Sequence, residues 1–287
     1  MQRVVLAACD EDRSPVAFAR SVAPLLGARV VPVRVGSTGE LAGVEPDAGG
    51  PAIVGVRVER AASAAAGLQR LIATDRPVLT VLGSAHDAPH GRVRVGGTVE
   101  RVLHGACGAV AVVPRGYGER PLAAVGVGLL PTTDSRRALR AASALARAAG
   151  TPLSVLTVLR RSPDPADAAR FAASLAPLKA PWERGDAASI LRAAIEAAAR
   201  EDEPELEVEP LVLVGDPTDT LLRASAQLDV LVLGSRAYGP PGVVLPGGAA
   251  LGTLAGARCP VMVVPRADAG EDVRHPPRMR RRHPARA

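Results

Sequence analysis

Two short glycine-containing stretches are where residue type and spacing could do chemistry in this chain. Gly83-Ser84 is followed, 13 residues after the glycine, by Gly96-Gly97-Thr98, and Gly234-Ser235 is followed at the same interval by Gly247-Gly248. Each Gly-Ser closes an apolar run, and each Gly-Gly opens a stretch that reads as a helix. A glycine turn at a helix start offers free backbone N–H groups and the positive end of the helix dipole, both suited to phosphate. By itself this spacing is a weak motif.

Other chemistry has little to stand on. The chain has no GxSxG elbow and no HExxH, and its only lysine, Lys179, lies far from either glycine turn, so no Walker lysine is present. Asp10-Glu11-Asp12 reads as the acidic first turn of a helix rather than a metal cluster. Between the first pair of glycines lie His86, His90, Arg92 and Arg94; between the second lie Arg236 and three prolines, Pro240, Pro241 and Pro246. The first loop is therefore expected to be basic and flexible, able to close on a triphosphate, and the second apolar and packed. No histidine has metal-ligand spacing with a cysteine. No catalytic residue and no metal ligand is expected.

The elements that must position these turns are written twice. A shift of 151 positions carries Val78-Leu79-Thr80-Val81-Leu82-Gly83-Ser84 onto Asp229-Val230-Leu231-Val232-Leu233-Gly234-Ser235, and Val112-Val113-Pro114 onto Val263-Val264-Pro265. The first copy reads as strand 3–9, helix 14–26 ended by Gly27, strand 28–35, an aperiodic loop 36–51, strand 53–58, helix 61–73, strand 77–82, helix 96–106 and strand 109–113. The second reads as strand 124–129, helix 135–149, strand 153–159, helix 186–200, strand 206–214, helix 217–226, strand 230–233, helix 247–257 and strand 261–264. Gly27 to Gly150 is 123 positions, so the second copy gained 28 residues before Gly234 and with them a crossover helix. Strands alternating with helices predict βαβ units and a parallel sheet covered on both faces. The ligand site of such a sheet lies outside the carboxyl ends of its strands.

Composition sets the bounds. At 287 residues the chain suits two domains, and with 47% apolar but 2% aromatic residues the cores must be built from Val, Leu, Ile and Ala. The net charge of +6 sits in residues 274–287, where six arginines meet no acid, leaving residues 1–273 formally neutral. That tail reads as disordered, and weak contact through it is the one role expected for nucleic acid. Cys9, Cys107 and Cys259 form no CxxC pair and are expected to be reduced, buried thiols. Leu6-Ala7-Ala8-Cys9 has the form of a lipoprotein cleavage site, but the apolar run before it is too short for a signal segment, and it reads as the first strand. No run reaches a membrane span, so a cytoplasmic protein with no membrane contact is expected.

The full layout resembles the universal stress protein family in tandem form. The resemblance rests on Val230-Leu231-Val232-Leu233-Gly234-Ser235-Arg236-Ala237-Tyr238-Gly239, on Ala257-Arg258-Cys259-Pro260-Val261-Met262-Val263-Val264-Pro265 and on Gly215-Asp216-Pro217. It implies an adenine nucleotide alpha hydrolase-like fold: two doubly wound, five-stranded parallel-sheet domains, at 1–118 and 119–266, packed as an internal pseudo-dimer through their fifth strands, with a basic tail at 267–287. Further homodimerisation is left open. ATP-binding relatives carry Gly, two residues, Gly, nine residues, Gly, then Ser or Thr, with an Asp at the end of the first strand. Here Asp10, Gly83 and Gly96 fit, His86 and Gly97 depart, and Thr98 follows at once; in the second copy Gly234 and Gly247 fit, Ala237 and Gly248 depart, and Leu130 stands where Asp is expected. The resemblance thus implies a stress-response regulator that binds ATP, with Mg accompanying it, chiefly through Asp10, Val35, Gly83, Ser84, Gly96, Gly97 and Thr98, with Gly234, Ser235, Gly247 and Gly248 behind them. Weak ATP hydrolysis is the most catalysis it allows. The alternative is a nucleotide-free interaction module that keeps its glycines only for the turns.

Overall fold

A computed structural model describes residues 3–9, 11–36, 55–130, 133–175, 186–235 and 242–265, with backbone alone at 133 and 134. Asp10, the loop 37–54, Arg236, Ala237, Pro240, Pro241 and the tail lie outside the described residues. The first half runs β1 (Val4–Ala8), α1 (Ser14–Val22), β2 (Arg29–Gly36), β3 (Arg57–Arg60), α2 (Ala64–Asp75), β4 (Leu79–Gly83), α3 (Gly97–Leu103) and β5 (Ala109–Val113). The second runs β6 (Val125–Gly128), α4 (Thr133–Ala149), β7 (Leu153–Leu159), α5 (Pro165–Leu175), α6 (Ala187–Arg200), β8 (Val208–Val214), α7 (Pro217–Ala224), β9 (Val230–Gly234), α8 (Gly248–Leu254) and β10 (Val261–Val264).

Among the described residues, ten strands form one sheet in the order β3-β2-β1-β4-β5-β10-β9-β6-β7-β8. Each half repeats a doubly wound parallel order, and the halves join where β5 and β10 run antiparallel, with Val261 opposite Val112 and Val263 opposite Val110. Alternation along each strand supplies two core layers. Val5, Ala7, Ala111, Val230, Val232 and Met262 face α1, α4, α5 and α6. Leu6, Val110, Val112, Leu231, Val261 and Val263 face α2, α3, α7 and α8. Both layers run through both halves, so the β5–β10 seam is interior rather than a boundary between separate cores.

Helix starts follow side-chain chemistry. Ser63 accepts from Ala66 N at 3.2 Å, Asp186 from Ser189 N at 2.9 Å, and Asp216 from Thr218 N and Asp219 N at 2.9 and 3.2 Å. The expected helix 14–26 ends at Val22, because Pro24 has no N–H to continue the ladder; beyond it Leu26 N is shared between Val22 O and Ala23 O, and Gly27 N closes a tighter turn on Pro24 O. Asp12 lies before that helix rather than in its first turn, and its carboxylate accepts from Ser14 N at 3.1 Å. The third strand lies at 57–60, later than 53–58, paired beside Val33–Gly36. One helix was missed: α5 buries Ala168, Phe171, Ala172 and Leu175, a regular i, i+3, i+4, i+7 stripe.

The connection between the halves is strapped down. Tyr117 N donates to Ser14 Oγ at 2.8 Å and Arg120 N to Ser21 Oγ at 3.1 Å. Tyr117 packs edge-to-face on Phe18, with ring centroids 5.6 Å apart, and Arg120 lies 4.9 Å over the Tyr117 ring. Burial pushes the Tyr117 phenol above its ordinary pKa. Asp229 ends the strap: Oδ2 accepts from Ala123 N and Ala124 N at 2.8 and 3.0 Å, and Oδ1 pairs with Arg120 at 3.1 Å.

The thiols do not all share one setting. Cys9 and Cys259 are buried, but Cys107 is exposed, in the turn after α3, where its backbone bridges to Val243. Desolvation pushes the Cys259 thiol up to about 12. Among the described residues, no helix is long and apolar enough to cross a membrane.

Two outcomes follow from this packing. Asp229→Ala orphans two backbone donors and should lower unfolding free energy by about 2 kcal/mol in urea titration; an unchanged midpoint would show that the strap contributes nothing. Iodoacetamide at pH 8 should label Cys107 and spare Cys259 until the chain unfolds, as read by mass spectrometry of the peptides.

Candidate functional site

Strand order reverses in the first half between β1 and β4, so the crevice that the sheet offers a ligand lies at their carboxyl ends. The structure brings Gly83, Ser84, Gly96, Gly97 and Thr98 to that end of β4. Gly83 closes β4 against the start of α1, where an added Cβ would stand 3.3 Å from Pro15 Cγ. Gly96 sits beside Ala85, its added Cβ 3.2 Å from the Ala85 Cβ. Gly97 opens α3 with no side-chain cap on the helix, is exposed, and has nothing within 4 Å of an added Cβ. Thr98 is exposed on the same turn. Gly248 opens α8 in the same way, exposed, uncapped and unobstructed.

The two serines do something else. Ser84 Oγ donates to Val113 O at 2.7 Å and accepts from Arg94 N at 3.2 Å. Ser235 Oγ donates to Leu245 O at 2.9 Å and accepts from Leu245 N at 2.7 Å. Arg94 and Leu245 are related by the same 151-residue shift, so each hydroxyl pins the far limb of its own glycine loop. Both loops also turn on a left-handed glycine at equivalent positions, Gly91 (φ 73°) and Gly242 (φ 74°).

The first loop is fastened rather than free. Ala85 N donates to Arg94 O at 2.8 Å, Arg94 pairs with Asp87 at 2.9 Å, and Arg115 Nη1 donates to His86 O at 2.6 Å. Arg92 Nη1 reaches Gly256 O, in the other half, at 3.2 Å. His90 packs over Gly116, where a Cβ would collide with its ring. The cations expected to close on a triphosphate are thus already engaged by protein carbonyls and a carboxylate. His86 takes the place of a glycine without strain, since Arg76 is the one non-glycine with positive φ among the described residues.

Each loop is also tied to the opposite half. Val93 N donates to Ala257 O at 2.8 Å, and Val244 N donates to Ala106 O at 2.9 Å. These two bonds are again related by the repeat, and both valines are buried in the same core layer.

The remaining expected site residues are not gathered so closely. Asp10 lies outside the described residues, but Cys9, just before it, donates its N–H to Val33 O at 2.7 Å. Val35 stands on β2, beyond β1 from β4, and its side chain packs on α2 against Gly67, where an added Cβ would collide with Val35 Cγ1. Arg34, which sequence reading passed over, directs Nε to Cys9 O at 3.5 Å and so puts a guanidinium at the end of β1. Its position on alternate sites of β2 was the available signal. In the second half Leu130 is 49% exposed at the end of β6, an apolar side chain where an acceptor is expected. Among the described residues no group of three or more His, Cys, Asp or Glu could hold a metal ion.

Comparison with known proteins places the second half. Residues 123–265 match the model of the universal stress protein family. That half is a universal stress protein domain. In fold, the whole chain is similar to a universal stress protein from Archaeoglobus fulgidus DSM 4304, with a TM-score of 0.61 and 17% identity over 92% of this chain and 97% of that one. A putative universal stress protein from Pseudomonas aeruginosa UCBPP-PA14 aligns with a TM-score of 0.61 and 14% identity over 92% of this chain and 93% of its own. A functionally unknown protein from Pseudomonas aeruginosa PAO1 aligns over the same shares with a TM-score of 0.55 and 16% identity. At such identities the likeness is one of fold, and it extends through both halves. No curated protein matches the chain.

The serine geometry makes its own prediction. Ser84→Ala and Ser235→Ala should each cost about 1 kcal/mol in chemical denaturation, because each removes a loop fastening. A phosphate-binding serine would instead leave stability unchanged and weaken nucleotide binding.

Proposed function

We propose that the chain is a tandem universal stress protein, with copies at 1–118 and 119–266, that acts as a non-catalytic, stress-responsive regulator and binds an adenine nucleotide in its first half. The observation that carries this reading is the start of α3. Gly97 is exposed, uncapped and unobstructed at the carboxyl end of β4, and the first N–H groups of α3 have no partner within the helix. Asp10 follows the neighbouring strand in sequence and would supply the acceptor for ribose or adenine, with Arg34 nearby as a further cation. ATP fits this set as a phosphate held by backbone. The serine and the loop arginines stay in their structural roles, and the described residues offer no protein carboxylate set for Mg, which would have to come with the nucleotide. The second half has an equally open Gly248 but presents Leu130, and serves as scaffold.

A nucleotide-free interaction module remains the competing reading, favoured by one specific fact: both serines and the cations Arg92 and Arg94 are satisfied within the protein. Calorimetric titration of the full chain with ATP separates the two. Binding in the first half should be abolished by Asp10→Ala and by Gly97→Glu, which brings a carboxylate to the phosphate end. Gly248→Glu should leave it intact, and neither glycine change should alter the melt, since both positions are open. No heat at millimolar ATP would leave the interaction module standing.

A further inference from the structure

Arginines gather where the strands of the first half begin. Arg29 opens β2, Arg3 precedes β1, and Arg76 leads through Pro77 and Val78 into β4. The register sets them side by side: Val4 lies opposite Arg29 and Val5 opposite Leu79, while Arg29 N donates to Arg3 O at 3.1 Å and Val78 N to Val4 O at 2.9 Å. Adjacent strands lie roughly 5 Å apart, so the three residues form a short straight row. All three are exposed. Among the described residues none of them takes part in an ion pair, and Asp75, the carboxylate beside Arg76 in sequence, is held by Arg57 at 2.5 Å.

Arg76 is not the residue that helix termination would select. It ends α2 in the left-handed region, at φ 44° and ψ 58°, with its N–H on Ile72 O at 3.1 Å, whereas α4 ends on Gly150 at φ 69°. A side chain is disfavoured there relative to glycine, and such an outlier points to a use for the side chain itself. The seam brings more basic chain to the same edge. Leu79 pairs with Ala109 and Val110 with Val263, so Pro265 comes level with Gly108 and Val78, two strands from Arg76, and the six arginines of 274–287 follow it in sequence. Farther along this edge, in the second half, Asp164, Asp167 and Asp216 are matched by Arg160, Arg161 and Arg170. They leave no acid over for the row at β2, β1 and β4.

We infer that this edge binds the phosphate backbone of duplex DNA without reading its sequence, with Arg3, Arg29 and Arg76 on successive phosphates and the arginines of 274–287 adding contacts beyond the fold. A duplex carries one charge per roughly 1.7 Å of its axis, so a straight row of guanidinium forks meets several phosphates at once. Single strands are held by stacking of bases on aromatic rings, and the described rings lie elsewhere: Phe18 and Tyr117 meet at the strap, and Phe171 is buried. The row is independent of the nucleotide reading, because the crevice at Gly83 and Gly97 lies at the opposite ends of β1 and β4.

The test uses the full chain and fluorescence anisotropy of a labelled mixed-sequence duplex of about 20 base pairs, in KCl from about 50 to 200 mM. Combining Arg3→Gln, Arg29→Gln and Arg76→Gly should weaken binding at least tenfold and reduce the slope of log affinity against log salt by about 2.7. Arg76→Gly alone should weaken binding while melting no lower than the parent, since glycine suits that backbone; a merely structural arginine would not separate the two readouts. Arg192→Gln with Arg223→Gln, which removes exposed charge from α6 and α7, should leave affinity within twofold. Four results would each overturn the assignment: no binding at the lowest salt, unchanged affinity in the triple variant, an equal loss in the α6–α7 control, or inorganic polyphosphate bound in preference to the duplex.

Discussion

The antiparallel pairing of β5 with β10 is the constraint on which the rest of the molecule depends. β5 is built from valine and alanine and β10 from valine and Met262, buried on both faces. Alone, each would be a flat apolar edge, the kind that templates aggregation. Paired, they turn two five-stranded sheets into one and merge the cores above and below it. The chain has too few aromatic residues to anchor a small core with large rings, so sharing a core across the seam substitutes number for size. The strap from Val113 to Val125 keeps the two copies in register, and it is here that two of the chain's five aromatic residues, Phe18 and Tyr117, meet.

The seam also determines what the glycine loops can do. Each loop crosses to the opposite half and is held there by a backbone hydrogen bond from Val93 or from Val244, whose carbonyl also accepts from Gly105 N, with its serine pinning the return limb. A loop fastened at both places cannot swing over a ligand as a lid. Its remaining capacity is static: an exposed helix start without a side-chain cap at Gly97 or Gly248. Recognition then has to come from neighbouring strand ends, and there the halves differ, with a cation, Arg34, beside the end of β1 and an exposed leucine, Leu130, at the end of β6.

The frame was largely legible in the sequence because periodicity and repetition report backbone geometry. β5, β7 and β10 lie where the apolar runs predict them, and pairing of the fifth strands was expected. Helix ends were less legible: Pro24 shortens α1 through a missing donor, which an apolar stripe continuing to Leu26 conceals. The α5 stripe was readable but is built largely on alanine, whose weak contrast with its surroundings hides the period until Phe171 and Leu175 are counted. The site was half legible. Gly83, Ser84 and Gly96 are grouped as their spacing implied, but spacing cannot reveal that Ser84 bonds Val113, 29 residues away, or that Val35 turns toward α2. Those facts depend on which atoms the tertiary fold brings near.

This division separates the contacts that hold the fold from the positions that could hold a ligand. The contacts that join the halves use backbone N–H and C=O groups and apolar side chains: Val93 to Ala257, Val244 to Ala106, Val112 against Val261. None of them uses the first-strand acid, the second glycine of the motif or the hydroxyl after the third. At Gly97 and Gly248, where an added Cβ meets nothing within 4 Å, substitution therefore meets little resistance from packing. Ser84 and Ser235, by contrast, fasten the loops, and both are retained. The serines thus serve loop architecture, and only residues that the frame does not need are left to meet a ligand.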